Sequence, residues 1–159
     1  MKVYVQSQFD CPPEAVWAKV QSSDLLLEVI RPLLRFAPLG SAKFPSFWRQ
    51  GQTVYGRAYA FGLLPLGVHA VHFERIDARE RQMQTREIDP LIRRWDHLIS
   101  VAETPDGKTV YSDEIDVDAG IFTFFVWVYA QLFYRHRQRR WRRVVQRLSA
   151  DIAARRRKQ

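Results

Sequence analysis

Residues 120–157 read GIFTFFVWVYAQLFYRHRQRRWRRVVQRLSADIAARRR, and their spacing decides the architecture. Phe122, Val126, Tyr129, Phe133, Arg137, Trp141, Val144, Leu148 and Ile152 recur at intervals of three and four residues, which sets them on one face of a helix. Up to Tyr134 this segment is apolar on nearly all sides, and burial from several directions is expected there. Beyond Tyr134 arginines cover everything except the stripe. A helix of about 35 residues rises roughly 50 Å, so its basic end should overhang or bend at the edge of a small domain.

The residues before it read as strands. Gln52–Phe61 alternates cleanly, with Tyr55, Arg57, Tyr59 and Phe61 on one face and Val54, Gly56, Ala58 and Ala60 on the other. Gly67–Asp77, Arg81–Ile88, Leu91–Glu103 and Lys108–Asp118 continue the pattern. Turns are expected at Gly62–Leu66, Asp77–Glu80, Asp89-Pro90 and Thr104-Pro105-Asp106-Gly107, where proline presets φ and glycine supplies a positive one. Further out, residues 2–9 alternate as another strand. Asp10-Cys11-Pro12-Pro13-Glu14 then opens a short helix. Ser22-Ser23-Asp24 offers a cap for a second helix, which Pro32 ends. Leu33–Leu39 is a strand and Gly40–Gln50 a loop. The order β-α-α-β6-α predicts an α+β fold, a curved antiparallel sheet of about seven strands wrapped around the long C-terminal helix. Such a wrap leaves a cavity wherever side chains do not fill it.

Length and charge narrow the function classes. The 159 residues suit a single domain, 1–159. There are 25 Lys and Arg against 17 Asp and Glu, a net charge of +8. Residues 1–134 hold 14 basic and 16 acidic side chains, whereas residues 135–159 hold 11 basic residues and only Asp151, a net of +10. The nucleic-acid reading of a high pI therefore applies only to the tail, and Trp141 lies on the apolar stripe instead of standing out as a stacking group. Nucleic acid is disfavoured. The basic helix, 121–157, is compatible with a solvated face or with peripheral contact to an anionic membrane. A lone Cys11 excludes an intramolecular disulfide and a cysteine zinc cluster. The N-terminus lacks the apolar core of a signal peptide, and the run Ile121–Phe133 falls short of the 18 or so residues of a membrane span. A cytoplasmic location is expected.

The junction Phe9-Asp10-Cys11-Pro12-Pro13-Glu14-Ala15-Val16-Trp17 resembles the strand-to-helix junction of the START/Bet v 1-like (SRPBCC) superfamily. The hairpin Pro105-Asp106-Gly107-Lys108-Thr109, the strand Tyr111-Ser112-Asp113-Glu114 and the helix after Gly120 also match. Phe133-Tyr134-Arg135-His136-Arg137-Gln138-Arg139-Arg140-Trp141 is similar to the final helix of bacterial polyketide cyclase/dehydrase-like members. The resemblance covers essentially the whole chain. It implies a helix-grip fold with a cavity for lipids, sterols or polyketides, and it carries over no catalytic residue.

Candidate site residues follow from the faces. Alternation carried across the Gly62–Leu66 turn sets Tyr55, Arg57 and Tyr59 beside His69, Val71 and Phe73. An arginine among rings suits a ligand's carboxylate or phosphate, with stacking or snorkelling of Arg57 as the structural alternative. Trp95, His97 and Ile99 share one face of their strand, and Tyr111, Asp113 and Ile115 one face of the next. Where these faces coincide, His97 and Asp113 form a general acid/base pair of tuned pKa. The alternative is a cross-strand polar pair, with Asp113, Glu114, Asp116 and Asp118 as a solvated edge. Tyr129 is the polar member of the helix's aromatic set and offers a hydroxyl. His69 and His72 point to opposite faces of a strand, and no metal site is expected. No phosphate-cradling glycine loop, His-Glu-x-x-His or Gly-x-Ser-x-Gly is present, and no cofactor is expected.

The primary expectation is binding of a hydrophobic or amphipathic small molecule between sheet and helix, lined by Tyr55, Arg57, Tyr59, Phe73, Trp95, His97 and Tyr129. The alternatives are an aromatase/cyclase- or dehydratase-type enzyme using His97 and Asp113, and a membrane- or partner-docking module acting through the arginine-rich helix.

Overall fold

A computed structural model describes residues 1–40, 43–88 and 92–157. The Asp89-Pro90 break, Leu91 and part of the Gly40–Gln50 loop lie outside the described residues. Strand β1 (Lys2–Phe9) leads into helices α1 (Pro13–Val20) and α2 (Ser23–Val29). Pro13 and Glu14 occupy the first turn of α1, where no intrahelical acceptor is lost and a carboxylate favours the helix end. The Ser22 hydroxyl accepts from Leu25 N at 3.4 Å and caps α2. Six strands follow: β2 (Leu34–Pro38), β3 (Thr53–Ala60), β4 (Leu64–Asp77), β5 (Gln82–Ile88), β6 (Arg94–Glu103) and β7 (Thr109–Asp118). A 3₁₀ turn (Gly120–Phe122) then opens helix α3 (Thr123–Arg156).

The seven strands form one antiparallel sheet in the order β1-β7-β6-β5-β4-β3-β2. Register shifts at Ala58/Tyr59 and at Phe73/Arg75 increase the local twist and bend of β3 and β4. This is the α+β arrangement expected from element order, and the helix-grip fold that the resemblance implied. Helix α3 packs on β1, β7 and α2, so the helix leans on one side of the sheet while the β2–β5 side curls over a space.

Two expectations about facing are corrected. Strand β4 begins at Leu64, so the β3–β4 loop is Phe61-Gly62-Leu63 and not Gly62–Leu66. Leu66 bulges out of the pairing between Tyr59–Pro65 and Ala58–Gly67, so Gly56 pairs with His69, and Val54 with Val71. The inner face of β3 carries Val54, Gly56 and Ala58, and Tyr55, Arg57 and Tyr59 point outward. Strand β7 is flanked by β1 and β6, so its acidic residues are not an edge. Asp113 is completely buried, and Glu114, Asp116 and Asp118 are half-buried.

The small inner residues of β3 admit the rings of the neighbouring segments. A Cβ on Gly56 would lie 2.5 Å from the Phe36 ring and 2.8 Å from the Ala37 carbonyl oxygen. The carbonyl belongs to the paired strand β2 and cannot swing aside. Substituting alanine for glycine within a strand ordinarily stabilises; here Gly56→Ala should instead destabilise by about 1–3 kcal/mol, read as a lowered urea midpoint. An unchanged or raised midpoint contradicts this packing.

Candidate functional site

A cavity of about 370 Å³ lies between the sheet and the N-terminal half of α3. Leu26 of α2, Ile30 just after it, Leu34 and Phe36 of β2, Ala58 of β3 and Val71 of β4 make its sheet-side wall. Phe125, Val126 and Phe133 of α3 close the other side. Leu66 and Phe125 line the cavity and are also exposed, so its mouth lies between the β3–β4 hairpin and the start of α3. Five polar side chains interrupt the apolar wall: His69, Glu87, Tyr129, Tyr134 and Arg137. A mostly apolar pocket with a few convergent polar groups is the usual form of a small-molecule site.

The polar floor belongs to a larger buried network. His97 on β6 and Asp113 on β7 are not direct cross-strand partners, since His97 pairs with Ile115. Their side chains meet diagonally, with His97 Nε2 2.8 Å from Asp113 Oδ1. The Tyr111 hydroxyl donates to the same oxygen at 2.8 Å, and Gln138 Nε2 donates to Oδ2 at 2.9 Å. Arg137 Nη1 stands 3.7 Å from Asp113 Oδ1, and Arg137 Nη2 donates to the Tyr111 oxygen at 3.2 Å. The Arg137 guanidinium also lies 5.4 Å from the centre of the Tyr134 ring, and Trp95 Nε1 donates to the Tyr134 hydroxyl at 3.3 Å.

This arrangement sets the charges. Burial pushes the His97 imidazole below its ordinary value, with the Arg137 charge adding to it, and the Asp113 hydrogen bond only partly restores it. Burial alone would raise the Asp113 carboxyl; the Arg137 charge and the hydrogen bonds from His97 and Gln138 outweigh it and hold the group below the usual carboxylate range. Burial holds the Tyr111 and Tyr134 phenols far above theirs. The state at neutral pH is therefore a neutral imidazole donating from Nε2, a carboxylate and a guanidinium. Arg137 is paired, so the network carries no net charge.

Of the residues expected from sequence, Trp95 and Tyr129 line the cavity. His97 and Asp113 come together as expected, but neither lines the cavity; they lie sealed beneath its floor. Phe73 is buried elsewhere, stacked on Trp48 with ring centres 4.6 Å apart. Tyr55, Arg57 and Tyr59 stand on the outer face, where Tyr55 is 56% exposed and Tyr59 stacks under Arg35 at 4.0 Å. The physical reason is the bulge at Leu66, which shifts the β3–β4 register by one residue at Ala58/Tyr59 and sets the small-residue face of β3 beside His69 and Val71. Arg137, Tyr134, His69 and Glu87 were missed. For Arg137 the signal was present, since it is a charged residue on the otherwise apolar helix stripe. Among the described residues no three His, Cys, Asp or Glu cluster as metal ligands, and no helix is long and apolar enough to cross a membrane.

The sheet closed over a long C-terminal helix defines a protein of the helix-grip fold. The family model for a domain of unknown function, DUF8410, matches residues 7–145, and the chain belongs to that family. No curated protein matches it in sequence. Among solved structures, a START superfamily protein from Mycobacterium smegmatis is similar at 14% identity and a TM-score of 0.64, covering 92% of this chain and 98% of its own. MLL2253 from Mesorhizobium loti is 15% identical with a TM-score of 0.69, covering 92% and 98%. TTHA0849 from Thermus thermophilus is 12% identical with a TM-score of 0.66, covering 94% and 99%. At these identities the likeness is one of fold.

Acid should dismantle the network in two stages. A folded-state pKa of His97 below 6.5 means that the unfolded chain takes up that proton first, so its contribution is complete above about pH 6.5 and declines below it. Asp113, depressed below 3.8, contributes fully above the unfolded carboxylate value and is lost as pH falls through its folded value. The urea midpoint should therefore fall between pH 7 and 5, and His97→Gln should flatten that part of the profile. A profile equally steep in the variant contradicts the assignment. Asp113→Ala leaves Arg137 buried without its counter-ion and should cost about 3–5 kcal/mol, measured by the same denaturation.

Proposed function

We propose that this protein binds a hydrophobic or amphipathic small molecule, of the lipid, sterol or polyketide kind, in the cavity between the sheet and α3. The observation that carries the reading is the cavity itself. Its volume of about 370 Å³ falls within the roughly 300–1,000 Å³ typical of ligand pockets. Apolar walls supply the driving force for a ligand that water rejects. The Tyr129 and Tyr134 hydroxyls, His69, Glu87 and Arg137 lie where a polar end of that ligand would need partners. Because Arg137 is already matched by Asp113, a neutral polar end such as a hydroxyl or carbonyl suits the floor better than a carboxylate.

Binding without chemistry is the reading the geometry favours. A cyclase- or dehydratase-type reaction through His97 and Asp113 needs at least one of them within hydrogen-bond reach of the substrate, and neither lines the cavity. Their hydrogen bonds are spent on each other and on the residues that join sheet to helix. They position the floor.

The test uses the environment-sensitive dye N-phenyl-1-naphthylamine. The wild-type chain should bind it saturably with a rise in fluorescence. Ala58→Phe, which places a ring in the cavity, should weaken binding by about tenfold or more, equivalent to about 1.4 kcal/mol. Tyr55→Ala, on the outer face, should leave it unchanged. No saturable binding by the wild type, or equal binding by a folded Ala58→Phe variant, would sink the reading.

A further inference from the structure

The cavity mouth is ringed by apolar side chains that the fold leaves in water. In the β3–β4 hairpin Phe61 and Leu63 stand at the tip, with Leu63 85% exposed. In α3 and the turn before it, Ile121, Phe125, Val128 and Leu132 succeed one another at intervals of four, three and four, forming one outward stripe. Ile121 is 89% exposed and Leu132 62%. Leu66 from the hairpin and Phe125 from the helix line the same cavity, so the two segments form one collar around its opening. Monomeric proteins rarely expose a contiguous apolar area of this kind without a partner for it.

The same stripe changes character further along the helix. Its next positions are Arg135 and Arg139, both exposed and neither in an ion pair among the described residues. The apolar part covers about 17 Å of helix at 1.5 Å per residue, and cationic charge begins at its end. We propose that this collar docks on the surface of an anionic lipid bilayer, with the hairpin tip and the first turns of α3 among the acyl chains and Arg135 and Arg139 at the headgroups. The surface differs from the one the sequence suggested, because the contact is made by the apolar half of the helix and the arginines flank it.

Shape and charge favour a bilayer over a second copy of the chain. A stable protein interface needs a complementary, close-packed face burying at least about 1,000 Å². Leu63 and Ile121, at 85% and 89% exposed, instead stand almost wholly clear of the protein, as side chains do that enter a fluid acyl layer. Basic side chains next to the apolar area match anionic headgroups. The inference rests on the cavity reading in one respect: the mouth opening onto acyl chains gives an apolar ligand a path that never crosses water.

The experiment is co-sedimentation of the full chain with vesicles of phosphatidylcholine alone or mixed with phosphatidylglycerol. The wild type should pellet with the phosphatidylglycerol vesicles, and less so at high salt. Leu63→Ser/Ile121→Ser/Leu132→Ser should lower partitioning more than about tenfold. Arg135→Gln/Arg139→Gln should lower it about fivefold per arginine, and only on the anionic vesicles. None of these five residues lines the cavity, so dye binding in vesicle-free buffer should stay at the wild-type level. Dye binding without vesicle association overturns docking and leaves the cavity reading standing; vesicle association without dye binding does the reverse. A stable dimer abolished by the triple substitution, with no vesicle association, also overturns docking and assigns the collar to a second copy.

Discussion

A single buried carboxylate holds the sheet to the helix. Asp113 of β7 accepts from His97 of β6 and from Gln138 of α3, and lies beside Arg137 of the same helix. Gln138 also donates to the Val5 carbonyl of β1 at 3.1 Å, so one residue of α3 addresses two adjacent strands. An unpaired charge at this depth costs several kcal/mol, so Asp113 and Arg137 must meet when the helix docks on the sheet. Their pairing therefore specifies where along the helix the sheet must sit. Trp141 reinforces the same level, packed edge-on against Phe9 and Tyr111, and Arg140 and His136 donate to the carbonyls of Glu28 and Arg31.

The cavity follows from where that attachment lies. Helix α3 is tied down from about Tyr134 onward, on the β1–β7 side and to α2. In its first three turns Trp127 Nε1 donates to the Lys2 carbonyl at 2.7 Å, an exposed tie, and among the described residues there is no comparable buried polar network. Over these turns the sheet bends away at the irregularities of β3 and β4 and presents a small residue, Ala58, while Gly56 lets the Phe36 ring pack against the strand. The result is a space with a polar floor at the clamp and an apolar mouth at the free end of the helix. An apolar ligand would enter between Leu66 and Phe125, pass Tyr129 and His69, and meet Tyr134 and Arg137 at depth.

Element order was legible because it depends on local signals. Alternation marked the strands, prolines and Ser22 marked the helix starts, and the three-four spacing marked α3. The long helix also forced the architecture, since nothing else could cover the sheet. Facing was less legible. In β3 the richest face, Tyr55, Arg57 and Tyr59, looked like a binding surface, yet a cavity is lined by what is small enough to leave room, and on β3 that residue is Ala58. One bulged residue, Leu66, decided between the two faces, and alternation read from the sequence does not reveal a bulge. The meeting of His97 with Asp113 was legible from alternation in two neighbouring strands. Its sealing beneath the floor was not, because it depends on Tyr134, Arg137 and Gln138 descending from a helix far along the chain.

The division of α3 into a clamped and a free half is open to native-state hydrogen exchange with and without N-phenyl-1-naphthylamine. Amides of residues 134–148 should exchange only through global opening, while those of residues 123–133 exchange faster through smaller openings that the bound dye suppresses. Uniform exchange along the helix, or protection by the dye confined to residues 134–148, would contradict the account.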